Sequence, residues 1–233
     1  MTQRHIVAMG GGGFASGNPM LDRYALSLVN AERPKVCFIP TASGDDPGYT
    51  LQFYRAYSDY GCDPYVLNLF SREIEDIRTH LLDMDMVYVG GGSTANLLAV
   101  WRLHGVDRAL EEAWYAGVVL SGLSAGANCW FESSTTDSYL IGKADALSDG
   151  VGFIPGSFCP HYSSEPERRP NYMRMVATGT LPAGYACEDG AAVHFLGTEM
   201  KTAVSVDGDA AAYRVFRLDD GASEEQLPMI TPN

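Results

Sequence analysis

The segment Val118-Val119-Leu120-Ser121-Gly122-Leu123-Ser124-Ala125-Gly126-Ala127-Asn128 decides how the rest of the chain is read. The apolar run from Gly117 to Leu120 has the continuity of a buried strand, and a helix is expected from Ala125 towards Phe131. Between them lies Gly122-x-Ser124-x-Gly126, a G-x-S-x-G pattern at a strand-to-helix junction. A nucleophile elbow needs that setting, because a tight turn there holds a serine hydroxyl exposed at the end of a sheet. A side chain at either glycine would crowd the turn or the approach of a substrate carbonyl. The helix that follows directs free N–H groups towards any oxyanion formed beside Ser124. The competing explanation is a glycine-rich turn with an incidental serine, and the flanking strand and helix weigh against it.

Outward from this segment, strand and helix alternate. Ile6–Met9, Val36–Ile39, Tyr65–Leu69 and Met86–Val89 read as strands. Helices are expected over 21–30, 49–61, 71–80, 95–102 and 106–115, with Gly61 closing the second. Continuous apolar strands separated by helices indicate an α/β fold, a mostly parallel sheet flanked by helices on both faces. Catalytic groups in such sheets gather at the carboxyl ends of the strands. The glycine-rich strand ends at Gly10, Gly90 and Gly122 are therefore expected to meet in one crevice. Beyond Phe131 the pattern changes: 133–138 reads as a loop and 153–162 as extended and irregular. Residues 191–196, 203–206 and 211–218 read as short strands of a small C-terminal β meander, and 219–233 as a loose polar tail.

The chain of 233 residues suits one α/β domain, 1-233, and its 46% hydrophobic content can fill a sizeable core. A formal net charge of -13 argues against nucleic acid or an anionic membrane as a partner, since both need a basic face. The five cysteines are scattered with no C-x-x-C pair, which argues against disulfides and a zinc site. Met1–His5 and the short Ile6–Met9 run fall short of a signal peptide, and no apolar stretch reaches the length of a membrane span, so a cytoplasmic location is expected. Gly10-x-Gly12-x-x-Ala15 matches a dinucleotide fingerprint, but the second strand ends in Pro40-Thr41-Ala42-Ser43 without the ribose-binding acid. No nucleotide, metal or other cofactor is expected.

A serine nucleophile needs a base, and the base an orienting carboxylate. Of His5, His80, His104, His161 and His194, only His161 lies in a loop downstream of the elbow, where catalytic groups concentrate. Asp189, Glu188 and Asp137 are the candidate acids. The bland alternative for Glu188-Asp189-Gly190 is a hairpin turn. The order Ser124, His161, Asp189 does not fit α/β-hydrolases, in which the acid precedes the histidine. An amidotransferase-type enzyme would carry cysteine at the elbow; Cys129, a turn further on, is expected in the core.

Together these residues resemble the peptidase E or aspartyl dipeptidase family of serine peptidases, whose wider group includes the cyanophycinases. The likeness lies in Gly10-Gly11-Gly12, in Val89-Gly90-Gly91-Gly92-Ser93-Thr94 followed by Asn96-Leu97-Leu98, and in Gly122-Leu123-Ser124-Ala125-Gly126-Ala127. It continues in Pro160-His161-Tyr162 and Asp189-Gly190, in family order from Ile6 to about Phe216.

The resemblance implies a fold like the class I glutamine amidotransferases and a Ser-His-acid triad without metal. It makes Ser124 the nucleophile and His161 the general base, with oxyanion donors at the N–H groups of Gly92 and Ala125. The family acid falls on Asp189, where members carry glutamate, so Glu188 and Asp137 stay open. Ser93 stands where the family often has asparagine. Aspartyl dipeptidases cleave after an N-terminal aspartate and hold its carboxylate with an arginine, for which a planar guanidinium is apt. Among Arg168, Arg169 and Arg174 the best match is Arg169; the bland alternative is a solvated helix start. The expected activity is a serine exopeptidase on short peptides with N-terminal aspartate. Alternatives are a cyanophycinase-like hydrolase of β-Asp-Arg and a catalytically silent protein that binds acidic ligands. A homodimer is left open.

Overall fold

The computed structural model describes residues 3–232; Met1 and Thr2 of the N-terminal segment and Asn233 of the tail lie outside it. The first half alternates as the apolar runs demand. Strands β1 (His5–Met9), β2 (Lys35–Ile39), β3 (Asp63–Val66), β4 (Met86–Val89) and β5 (Val119–Leu123) lie parallel in the order β1-β5-β4-β2-β3. Between them run helices α1 (Met20–Leu26), α2 (Pro47–Asp59), α3 (Ile77–Leu82), α4 (Thr94–His104) and α5 (Val106–Ala116). Burial on both faces explains the unbroken apolar runs of β1, β2, β4 and β5, while β3 at the sheet edge is only partly buried. In β1, Val7 and Met9 pack towards α1 and α2, while Ile6 and Ala8 face a second core that includes Leu97, Trp101 and Leu110 of α4 and α5.

After β5 the chain makes one short helix, α6 (Ala125–Asn128), and enters a second sheet instead of continuing helical to Phe131. This sheet contains β6 (Phe131–Thr136), β7 (Asp145–Leu147), β8 (Ile154–Cys159) and β9 (Gly184–Cys187), with α7 (Arg168–Thr178) between the last two. Residues 133–136, expected as loop, are strand, because β7 and β8 pair with β6 and its hydroxyl-bearing residues are buried. Residues 219–232 are not loose either: β13 (Gly221–Gln226) pairs with β12 (Ala212–Leu218), and β14 (Met229–Ile230) joins the first sheet.

The C-terminal strands divide between two sheets rather than forming one meander. β10 (Ala191–Leu196) and β11 (Glu199–Ser205) extend the first sheet beyond β1 in the order β14-β11-β10-β1. β12 and β13 extend the second, whose order is β13-β12-β9-β8-β6-β7. Phe131 and Phe158 of the second sheet belong to the core shared with α4 and α5; its other face packs Tyr162, Ala186 and Val215 against Tyr172 and Val176 of α7. Three first-half expectations also shift, the first being that α1 ends at Leu26 rather than Asn30. The third strand ends at Val66 because the Asp45 carboxylate accepts from the N–H groups of Leu69 and Phe70. The third helix starts only at Ile77, where Asp76 caps it by accepting from Thr79 N.

Asp22, on α1, is fully buried near the Gly10–Gly13 turn, accepting from the Tyr57 hydroxyl at 3.3 Å; its Oδ2 has no protein partner. Burial pushes its carboxyl up to about 7 against hydrogen bonds from Tyr57 and the Phe14 backbone. The unfolded carboxyl ionises near pH 4, so between there and pH 7 the unfolded chain binds fewer protons and stability falls as pH rises. Asp22→Asn is therefore expected to be more stable than the wild type at pH 8, by on the order of 4 kcal/mol. The gap should close near pH 4. Melting curves at both pH values check this, and a gap that does not change with pH would exclude a buried charge as its origin.

Candidate active site

β5 is buried along its whole length and delivers Ser124 to its carboxyl end. There the backbone turns so sharply that Ser124 takes φ 53°, ψ -115°, outside the comfortable range of a residue with a Cβ. Its N–H donates to Met9 O at 3.1 Å, and its carbonyl accepts from Ala127 N and Asn128 N. Both glycines of the motif are required by contact. A Cβ on Gly122 would stand 2.3 Å from Gly126 O, and one on Gly126 2.2 Å from Val89 O.

His161 follows β8 and Asp189 follows β9, adjacent parallel strands of the second sheet, so their side chains arrive side by side. His161 Nε2 lies 2.8 Å from Ser124 Oγ, and His161 Nδ1 lies 2.6 Å from Asp189 Oδ1. His161, like Ser124, is a non-glycine residue in the left-handed region, at φ 53°. Such conformations cost about 1–3 kcal/mol and persist where the surroundings enforce them. The hydrogen bond with His161 is the main influence holding the Asp189 carboxyl below the usual range; partial burial opposes it and Ser164 assists.

The glycine turn after β1 has a part the sequence reading did not assign. Gly11 bridges to Asp189, its carbonyl accepting from Gly190 N at 3.0 Å. A Cβ on Gly11 would stand 2.1 Å from Asp189 Oδ1 and 3.0 Å from His161 Cε1. The turn is glycine here to clear space for a carboxylate and an imidazole. The available signal was the glycine run itself, which resembles a nucleotide fingerprint equally well.

Gly90–Gly92 flanks Ser124 on another side, and a Cβ on Gly91 would meet Ser124 Cβ at 3.5 Å. Gly92 has φ 135° and packs so closely on Ala42 O that a Cβ would stand 2.2 Å away. Among the described residues, neither the Gly92 N–H nor the Ala125 N–H has a protein acceptor. The Ser93 hydroxyl caps α4, accepting from Asn96 N. Cys129 is buried, and desolvation pushes its thiol well up, away from nucleophilic character.

The other candidates are not joined to this chain of contacts. Glu188 turns to the opposite side of β9, as strand alternation requires, accepting from Ala211 N and from the hydroxyls of Ser163 and Tyr213. Asp137 pairs with Arg168, which is buried, binds Glu165 and donates to Thr135 O. Asp137, Glu165 and Arg168 border a cavity of about 300 Å³ that Ser164 and Ile141 also line. Arg169 pairs with Glu224 of β13, its guanidinium 5.2 and 5.1 Å from the ring centres of Tyr162 and Tyr213. Arg174 reaches Asn171 on its own helix.

A hydroxyl, an imidazole and a carboxylate in hydrogen-bonded series at the carboxyl end of a parallel strand can perform acyl transfer. The molecule is an α/β serine peptidase. It belongs to peptidase family S51, whose family model matches residues 6–203. It is 45% identical to the uncharacterized peptidase YgaJ of Bacillus subtilis (strain 168) over 228 residues, which cover 97% of this chain and 98% of that one. It is 30% identical to peptidase E of Streptomyces coelicolor over 142 residues, 60% of this chain and 57% of the other. In fold it is similar to a peptidase from an acI-B1 actinobacterium, with a TM-score of 0.71, 20% identity and coverage of 97% and 95%. It also resembles a putative peptidase E from Listeria monocytogenes EGD-e, with a TM-score of 0.64, 20% identity and coverage of 86% and 98%. No helix among the described residues is long and apolar enough to cross a membrane.

Proposed function

We propose that this chain is a cytoplasmic serine exopeptidase that hydrolyses short peptides after an N-terminal aspartate. Ser124 attacks the scissile carbonyl while His161 takes its proton and later passes it to the leaving amine. Asp189 holds the imidazole in the tautomer that accepts from serine and stabilises the imidazolium as it forms. The N–H groups of Gly92 and Ala125 receive the oxyanion, for which they are free. The observation that carries this reading is the unbroken series from Ser124 Oγ to His161 at 2.8 Å and from His161 to Asp189 at 2.6 Å.

The preference for aspartate rests on the likeness to aspartyl dipeptidases and on Arg169. Its present partner, Glu224, is itself a carboxylate, so recognition by Arg169 requires the substrate to displace Glu224. A panel of Asp-Leu, Glu-Leu, Asn-Leu, Ala-Leu and β-Asp-Leu tests the proposal. Asp-Leu is expected to exceed Ala-Leu in kcat/KM by about 10-fold to 100-fold, the worth of one desolvated charge-assisted pair. Equal kinetics on Asp-Leu and Ala-Leu would remove the aspartate preference and leave the serine mechanism standing.

A further inference from the structure

We infer that Glu224, on the C-terminal hairpin, is a positioning residue for His161 and Asp189, acting through the residues that flank them. The inference rests on the proposed Ser124-His161-Asp189 mechanism. His161 sits at φ 53°, a conformation its own backbone disfavours, so an adjoining contact must hold it. The residue that follows, Tyr162, supplies that hold. It is fully buried, its N–H donates to Cys187 O at 3.1 Å, and its hydroxyl donates to Glu224. Burial pushes the phenol up, so it stays a donor to the carboxylate.

The same cluster reaches the acid. Glu188, directly before Asp189, accepts from the hydroxyls of Ser163 and Tyr213. The Arg169 guanidinium lies over the rings of both Tyr162 and Tyr213 and closes the cluster by pairing with Glu224. Alternation along β9 and β12 puts these groups behind the second sheet. Ala186 packs with Tyr213 on the α7 side, whereas Cys187 and Ala212 face the main core. Glu224 thus touches neither Ser124 nor His161, yet braces the loop that carries each partner of the imidazole bond.

The experiment compares the wild type with Glu224→Ala, Tyr162→Phe and the double variant. It measures kcat and KM on every cleaved peptide, the rate of Ser124 labelling by a fluorophosphonate, and the melting temperature. Each single variant is expected to lose roughly 10-fold to 100-fold in kcat on Asp-Leu and Ala-Leu alike, with KM on Ala-Leu little changed, as for a sub-ångström misplacement of reacting groups. Labelling should slow in parallel. The double variant should be little worse than either single one, because both remove the same hydrogen bond. Unchanged kcat and labelling in Glu224→Ala, whatever its melting temperature, would overturn the inference. So would an effect limited to the KM of Asp-Leu with kcat intact on both peptides, which would make the Arg169–Glu224 pair a substrate-recognition unit alone. A wild type that is not labelled at Ser124 would overturn the serine mechanism, and this inference with it.

Discussion

Ser124→Ala is expected to lower turnover of any cleaved peptide by about 10⁴-fold to 10⁶-fold, the usual consequence of removing the nucleophile from a unit that works cooperatively. The fold should barely notice. The Ser124 side chain keeps its Cβ in the variant, and the backbone bonds from Ser124 N to Met9 O and from Ala127 N and Asn128 N to Ser124 O are untouched. Only the hydrogen bond between Ser124 Oγ and His161 Nε2 disappears, and it lies at the crevice rather than in a packed core. Amine release and thermal melting measured on one preparation separate the two effects. A variant that keeps its melting temperature and still cleaves at the wild-type rate would remove Ser124 from the mechanism and leave the elbow as an ordinary turn.

The second large effect belongs to a residue with no side chain. Gly11→Ala is expected to reduce kcat by about 10³-fold, approaching the loss seen when a triad acid is made unable to orient its histidine. The new methyl would stand 2.1 Å from Asp189 Oδ1, so the carboxylate must swing away and release the imidazole. The displaced atoms are the mobile end of a half-exposed side chain, so the melting temperature should fall by only a few degrees. Gly10→Ala is the control. Its methyl would meet the backbone carbonyls of Cys187 and Glu188 at 2.4 Å, which cannot step aside, so stability should suffer first. If Gly11→Ala turns over peptides at the wild-type rate, Asp189 is not the acid that matters.

The first half of the chain was legible because both faces of β1, β2, β4 and β5 are buried, which writes each as a continuous apolar word between helices. The elbow was legible for the same reason, since β5 runs straight into Gly122. His161 and Asp189 stood out as polar residues in loops between apolar runs. The second sheet was hidden. β6 reads Phe131-Glu132-Ser133-Ser134-Thr135-Thr136, and its polar composition imitates a loop until β7 and β8 bury it. β13 is polar because it lies at the rim of that sheet, partly exposed along its length. Arg168 and Arg169 are adjacent in sequence yet meet opposite conditions, one buried between Glu165 and Asp137, the other lying across two tyrosine rings. Nothing in a run of charges separates those outcomes before the helix and its neighbours are in place.

Ser124 is carried by one sheet, while His161 and Asp189 are carried by adjacent strands of the other. Asp189 is tied to both, because Gly190, which follows it, donates to Gly11 O at the end of β1, and β10 of the first sheet begins at Ala191. The acid thus stands at the seam, clamped to each sheet, whereas the imidazole belongs to the second sheet alone. On the proposed mechanism, a relative shift of the two sheets would act first on the distance between the Ser124 hydroxyl and the His161 ring.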